Sequence, residues 1–253
     1  MPLNYARRLT SPIRSAAADR HLGFTLAFVA GAANAGGFLA VHQYTSHMTG
    51  IVSAMADNLA LGGSELVLDG VGALLSFLAG AACSAIMVNF ARRRRLHSTY
   101  ALPLLLEAGL LLVFGLLGAR LQEIRGLFVP ATVMLLCFMM GLQNAVITKL
   151  SHAEIRTTHI TGVVTDIGIE LGKLLYWNGP QTGTAPRVTA NRARLRVLTL
   201  LAISFFAGGV AGALGFKHLG FSTTIPLAVV LVLLAIVPAA DDLVSAARRA
   251  SQN

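Results

Sequence analysis

Two stretches of this chain repeat one short pattern, and chemistry would be expected to sit there. The first is Ser46-His47-Met48-Thr49-Gly50-Ile51-Val52-Ser53. The second is Thr158-His159-Ile160-Thr161-Gly162-Val163-Val164-Thr165. Ser46 and Thr158 stand before apolar helical runs, as N-caps do, and the glycines let another backbone approach closely. A helix that starts inside a membrane points unpaired N–H groups and the positive end of its dipole at whatever lies before it. That suits a small polar or anionic molecule, and Thr49, Thr161 and Thr165 add hydroxyls. The same residues also fit tight helix packing around Gly50 and Gly162, with the threonines bonded back to their own helices.

Four further sets of residues are candidates. Asn34 and Asn144 belong to a second repeated element, Gly31-Ala32-Ala33-Asn34-Ala35 and Gly141-Leu142-Gln143-Asn144-Ala145. Buried amides in membrane spans bond to neighbouring helices or line a pore. His47 and His159 occupy matching positions and suit proton relay. No second metal-ligand spacing accompanies them, so no metal and no cofactor is assigned. Glu107 falls near the middle of an apolar run, where an ionisable group is costly and marks function. Asp166, Glu170 and Lys173 share a helix face by their three- and four-residue spacing; Asp166 joins Glu107 and the histidines as a candidate for proton or ion coupling. The chain carries no Walker loop, nucleophile elbow, HExxH or dinucleotide fingerprint, so no enzyme is expected.

The elements that must position these groups are membrane spans. Of the 253 residues 55% are hydrophobic and 12% charged, against about 25% charged in a soluble domain. Six apolar runs are legible: Leu22–Val41, Val71–Ala91, Tyr100–Ala119, Leu127–Thr148, Val197–Phe216 and Ser222–Ala240. Each is close to the roughly 20 residues that cross about 30 Å of hydrocarbon as a helix, and the alternation of a membrane β-barrel is absent. The fold class expected is therefore an all-α integral membrane protein with the lipid bilayer as partner. The net charge of +9 is explained by basic loops that set orientation, not by nucleic acid. Cys83 and Cys137 fall inside spans and read as packing residues. The first run is too long for a signal-peptide core and ends without a cleavage pattern.

The repetition extends further. Ser76-Phe77-Leu78-Ala79-Gly80 pairs with Ser204-Phe205-Phe206-Ala207-Gly208, and Leu102-Pro103-Leu104 with Ile225-Pro226-Leu227. We read a tail at 1–21, a first membrane repeat at 22–120, a second at 121–240 and a tail at 241–253. With six spans, 17 of the 20 Lys and Arg residues fall on one side, which the positive-inside rule makes the cytoplasm and which holds both termini. Three spans per half then make the repeats inverted, an arrangement common in transporters. Each TG segment is an extra re-entrant or interfacial piece. Small residues at four-residue spacing, Gly72, Ser76 and Gly80 with Ser84, and Ser204, Gly208 and Gly212, predict close helix contact between these two spans or across a homo-oligomer interface.

Taken together, the two TG motifs and their GxxNA elements resemble the YoaK-like bacterial membrane proteins, the domain of unknown function 1275 family, over roughly 23–240. The resemblance implies several spans and a cell inner-membrane location. The chain departs from many members at Asn34, where they carry an acid, and at Ile51, where they carry Asn. The resemblance implies no activity. From the residues, the function expected is a small-molecule transporter or channel with a polar site between the TG segments. The alternative is a non-transport scaffold, sensor or assembly factor. Transport predicts a polar cavity lined by Asn34, Thr49, Asn144 and Thr161; a scaffold predicts that these groups bond to one another in a dry core.

Overall fold

The computed structural model describes residues 16–94, 96, 99–120, 125–150, 160–178 and 187–250. Among these residues the regular structure is helical, with no strand. The helices are α1 (Ala16–Val41), α2 (Met48–Ala60), α3 (Ser64–Arg93), α4 (Ala101–Arg120), α5 (Arg125–Leu150), α6 (Ile160–Leu175), α7 (Arg192–Leu219) and α8 (Thr224–Ala250). A 3-10 turn, Gly220–Thr223, joins α7 to α8. Pro103 and Pro226 each stand third in their helices, where the missing N–H costs no helical bond.

Among the described residues five stretches are long and apolar enough to cross a membrane: Arg20–Val41, Ser64–Arg93, Ala101–Ala119, Val129–Lys149 and the 45-residue stretch Arg192–Ile236. The last contains α7, the 3-10 turn and the first half of α8. Helix α3 starts seven residues before the apolar run at Val71 because Glu65 and Asp69, which interrupt the apolar pattern, are compatible with helix. At 30 residues it is about 45 Å long and exceeds the roughly 30 Å of hydrocarbon, so its polar ends reach beyond it. Helix α8 runs on to Ala250 through Ala246, Ala247, Arg248 and Arg249, all strong helix formers.

Helix packing follows a paired scheme. α1 packs along α7, α3 along α5, and α4 along α8, while α2 lies on α3 and α6 on α7. α1 and α5 touch across the middle. The main core draws Leu22, Leu26 and Val29 from α1, Leu104, Leu111 and Phe114 from α4, Met139, Met140 and Ile147 from α5, and Leu227 and Leu231 from α8.

The small-residue stripes meet other helices of the chain, which corrects the expectation that their two helices pack on each other. Gly80 of α3 meets the backbone of Phe138 and Leu142 on α5, and Gly72 meets Met134 there. Gly208 and Gly212 of α7 meet the backbone of Phe28 and Ala32 on α1. In return Gly31 of α1 meets the Phe205 carbonyl, and Gly141 of α5 meets the Phe77 carbonyl. Both helix pairs thus place backbone directly on backbone, which only small residues allow.

Candidate functional site

Helix α1 ends where His42 adopts φ of 53° and donates its N–H to the Phe38 carbonyl at 2.8 Å. The left-handed residue stops the helix and turns the chain back. Tyr44 then stacks on Phe38, with ring centroids 4.7 Å apart and planes 17° from parallel. Ser46 Oγ donates to Asn34 Oδ1 at 2.9 Å. The hydroxyl expected to cap α2 is therefore used to orient a carboxamide. The N-cap position belongs instead to His47, whose side chain makes no capping bond. The first helical bond of α2 runs from the Ile51 N–H to the His47 carbonyl, so the N–H groups of Thr49 and Gly50 precede its internal ladder.

The loop and the helix start border a cavity of about 640 Å³. Asn34 reaches it from α1 and Asn144 from α5; Met48 and Thr49 reach it from α2, Ile160 and Thr161 from α6. Phe77 and Phe205 form apolar walls, each from near the middle of a long helix, α3 and α7. Tyr44, Ser46, His47 and Thr148 complete the lining. Two carboxamides, five hydroxyls and one imidazole thus face one space with no carboxylate, lysine or arginine among them. Thr148 also donates to the Asn144 carbonyl at 2.7 Å. Among the described residues no acidic side chain lines this space, and the start of α2, which borders it, presents a helix end worth about half a positive charge.

The remaining sequence candidates lie elsewhere. Gly50 and Gly162 sit half-buried in the first turns of α2 and α6, outside the lining; the His47 imidazole packs on Gly50. Thr165 is exposed and donates to the Thr161 carbonyl at 2.8 Å, the back-bonded arrangement open to threonines in helices. Asp166 pairs with Arg194 at 3.0 Å. Glu107 is buried within the core, away from the cavity. His159 and Thr158 lie outside the described residues. Sequence reasoning missed Tyr44, Thr148 and the two phenylalanines. Phe77 and Phe205 were nonetheless visible as the matched aromatic of the repeated Ser-Phe-x-Ala-Gly element.

A second polar network holds α6 to the start of α7. Glu170 accepts from Lys173 Nζ at 2.8 Å and from the Asn191 backbone N–H at 2.7 Å. These two bonds, with the Lys173 and Arg194 charges, hold its carboxyl below the usual carboxylate range. Asn191 in turn caps α7 by accepting from the Arg194 N–H.

Comparison with known proteins agrees with this helical, membrane-directed arrangement. The family model described as "Protein of unknown function (DUF1275)" matches residues 22–237. The chain is 31% identical over 178 residues to UPF0700 transmembrane protein YoaK of Bacillus subtilis (strain 168), covering 68% of this chain and 76% of YoaK. No solved structure matches. With apolar helices long enough to cross a bilayer and a transmembrane relative, this is a multi-pass membrane protein, and the chain belongs to the DUF1275 family.

Proposed function

We propose that this protein is a transporter or channel for a small polar or anionic molecule, with the cavity between α2 and α6 as its site. The observation that carries the reading is the composition of that cavity: Asn34, Thr49, Asn144 and Thr161, from two matched pairs of motifs, line one space together. Ligand sites of this kind, mostly preformed and lined by few convergent polar groups between helices, suit small molecules.

The membrane architecture we infer is six spans in two inverted repeats. A 45-residue helix would be about 68 Å long, twice the hydrocarbon thickness, so Arg192–Ile236 is read as two crossings that reverse at the 3-10 turn. Helices α2 and α6 have 13 and 16 residues, about 20 and 24 Å, too short to cross upright. They are read as re-entrant half-helices that enter from opposite faces. Matched packing supports the repeat: Gly31 against Phe205 answers Gly141 against Phe77, and Gly208 against Phe28 answers Gly80 against Phe138. Phe77 and Phe205 lie near the centres of their helices, which supports a cavity near the bilayer midplane, where transporters of inverted-repeat design bind their cargo. The basic-residue count orients both termini to the cytoplasm of the inner membrane.

The test is flux. Proteoliposomes carrying the purified protein are challenged with neutral polar solutes and monovalent anions, and swelling or dye response is followed. Flux of at least one solute that is lost in Thr49→Val/Thr161→Val, with thermal unfolding unchanged, supports the site. Flux equal in the double variant and the parent protein removes it.

A further inference from the structure

We propose that Glu107 is a proton-binding site whose partner is Gln143, buried between α4 and α5 and separate from the cavity. Glu107 is 1% exposed, and neither of its carboxyl oxygens has a hydrogen-bond partner among the described residues. Gln143 is fully buried on α5. Its Nε2 donates to the Leu26 carbonyl of α1 at 3.1 Å, and its Oε1 has no partner among the described residues. Orphaned buried polar atoms are rare enough that each requires an explanation.

The two side chains share a depth. The Tyr100 hydroxyl donates to the Lys149 carbonyl at 3.2 Å, which registers α4 and α5 as antiparallel. From that contact Glu107 lies about 10 Å along α4 and Gln143 about 9 Å along α5, at 1.5 Å per residue. Leu104, Ala108 and Leu111 flank Glu107 on its helix, and Met139, Met140 and Ile147 flank Gln143, all buried in one apolar cluster.

Chemistry then selects the proton. A carboxylate there would be an unpaired charge in an apolar core, which is strongly unfavourable. Without its proton, Glu107 offers only acceptors, and so does Gln143 Oε1. A proton on Glu107 supplies the one O–H donor that the amide oxygen lacks. Among the described residues no fixed cation competes for the role. The elements packed on α4 are α8, α5, the 3-10 turn and α3. Thr224–Ile236 of α8 and the turn carry no titratable side chain. Val129–Lys149 of α5 carries Cys137 and Lys149, and the Lys149 ammonium donates to Asn89 Oδ1. Helix α3 carries Glu65, Asp69, Cys83, Arg92 and Arg93, and Arg92 is turned to the Tyr100 hydroxyl. None of these groups bonds to the Glu107 carboxyl.

Gln143 also ties the site to the cavity. It precedes Asn144 in α5 and holds α1, the helix of Asn34, by its Nε2. On the transport reading above, which this last step assumes, the proton at Glu107 is the co-ion whose arrival and release shift α1 against α5.

The test uses the intact protein and does not require the cargo. Dicyclohexylcarbodiimide, which reacts with protonated carboxyls in apolar surroundings, is applied across about pH 5 to about pH 10, and adducts are mapped by mass spectrometry. The expected result is an adduct on Glu107 that falls about tenfold per pH unit above its midpoint and is missing from Glu107→Gln. An adduct that does not vary with pH, or no adduct at Glu107 while other carboxyls react, overturns the proposal. Protection by sodium at constant pH overturns it too, by assigning the site to a metal cation. Thr49→Val/Thr161→Val leaves the labelling unchanged, so failure of the cavity reading and failure of this one are distinguishable.

Discussion

Gly31 on α1 lies so close to the backbone carbonyl of Phe205 on α7 that a methyl group at position 31 would overlap it. The neighbour is backbone, not the movable end of a side chain, so a substituent there separates the helices along their contact. We expect Gly31→Ala to destabilise the protein by about 1–3 kcal/mol, the usual cost of overpacking, with Gly141→Ala, Gly80→Ala and Gly208→Ala behaving alike. Gly109 has nothing within 4 Å of the added methyl, so Gly109→Ala is expected to be neutral or slightly stabilising. Thermal unfolding in one detergent measures the contrast; equal behaviour of Gly31→Ala and Gly109→Ala would refute it.

The cavity hydroxyls and the back-bonded one are expected to separate. Thr49 and Thr161 line the cavity, whereas Thr165 lies outside the lining and bonds to its own helix. Replacing Thr49 or Thr161 by Val is expected to lower flux by about tenfold, the scale of one lost buried hydrogen bond, and Thr165→Val to leave it unchanged. Dose-dependent flux in proteoliposomes reads this directly, and loss of flux in Thr165→Val would shift the site along α6.

The Glu170 network predicts a pH dependence with a definite sign. Its carboxyl is depressed below the ordinary value of 4.5, first by the Lys173 hydrogen bond and then by the Asn191 N–H. A depressed folded-state value contributes stability that is fully present above the unfolded value and is lost as pH falls through the folded one. Unfolding followed downward from about pH 7 is expected to show a stability loss that begins below 4.5 and is smaller in Glu170→Gln, which starts less stable. Parallel curves for the two proteins would remove Glu170 from the account.

The six-span orientation is open to chemical mapping. With Cys83 and Cys137 replaced, single cysteines at Gly63 and Asp69 are expected to react with a membrane-impermeant thiol reagent in intact cells, and cysteines at Leu96 and Val188 to be protected until lysis. Labelling at Leu96 with Gly63 and Asp69 protected would mean that α2 crosses the membrane and that the repeats run parallel.

Much of this was legible in the chain itself. Apolar runs located the long apolar helices because hydrocarbon leaves few ways to satisfy a backbone. The matched Asn and TG motifs pointed to residues that line one cavity, because repeated elements carry repeated positions. What was not legible depends on which partner a side chain finds. Ser46 looked like a cap until its hydroxyl proved to be taken by Asn34, twelve residues earlier. Spacing showed that Gly80 and Gly208 face a close neighbour, but not that the neighbours are α5 and α1. The Glu170 network was half visible as a charged face on α6; its reach to the start of α7 crosses a loop with no pattern to follow. Helix α3 was drawn too short because Glu65 and Asp69 break hydropathy without breaking a helix.

The glycine contacts also dictate an order of assembly. They join α1 to α7, a helix made much later, and α3 to α5, with α4 made between them. During synthesis α1 enters the bilayer long before the groove that receives it exists, and it must wait there with its small-residue face open to lipid. Neither half can close its own backbone contacts. Separately expressed halves should therefore mature only together, and a chain arrested before α7 should be left for quality-control proteases to remove.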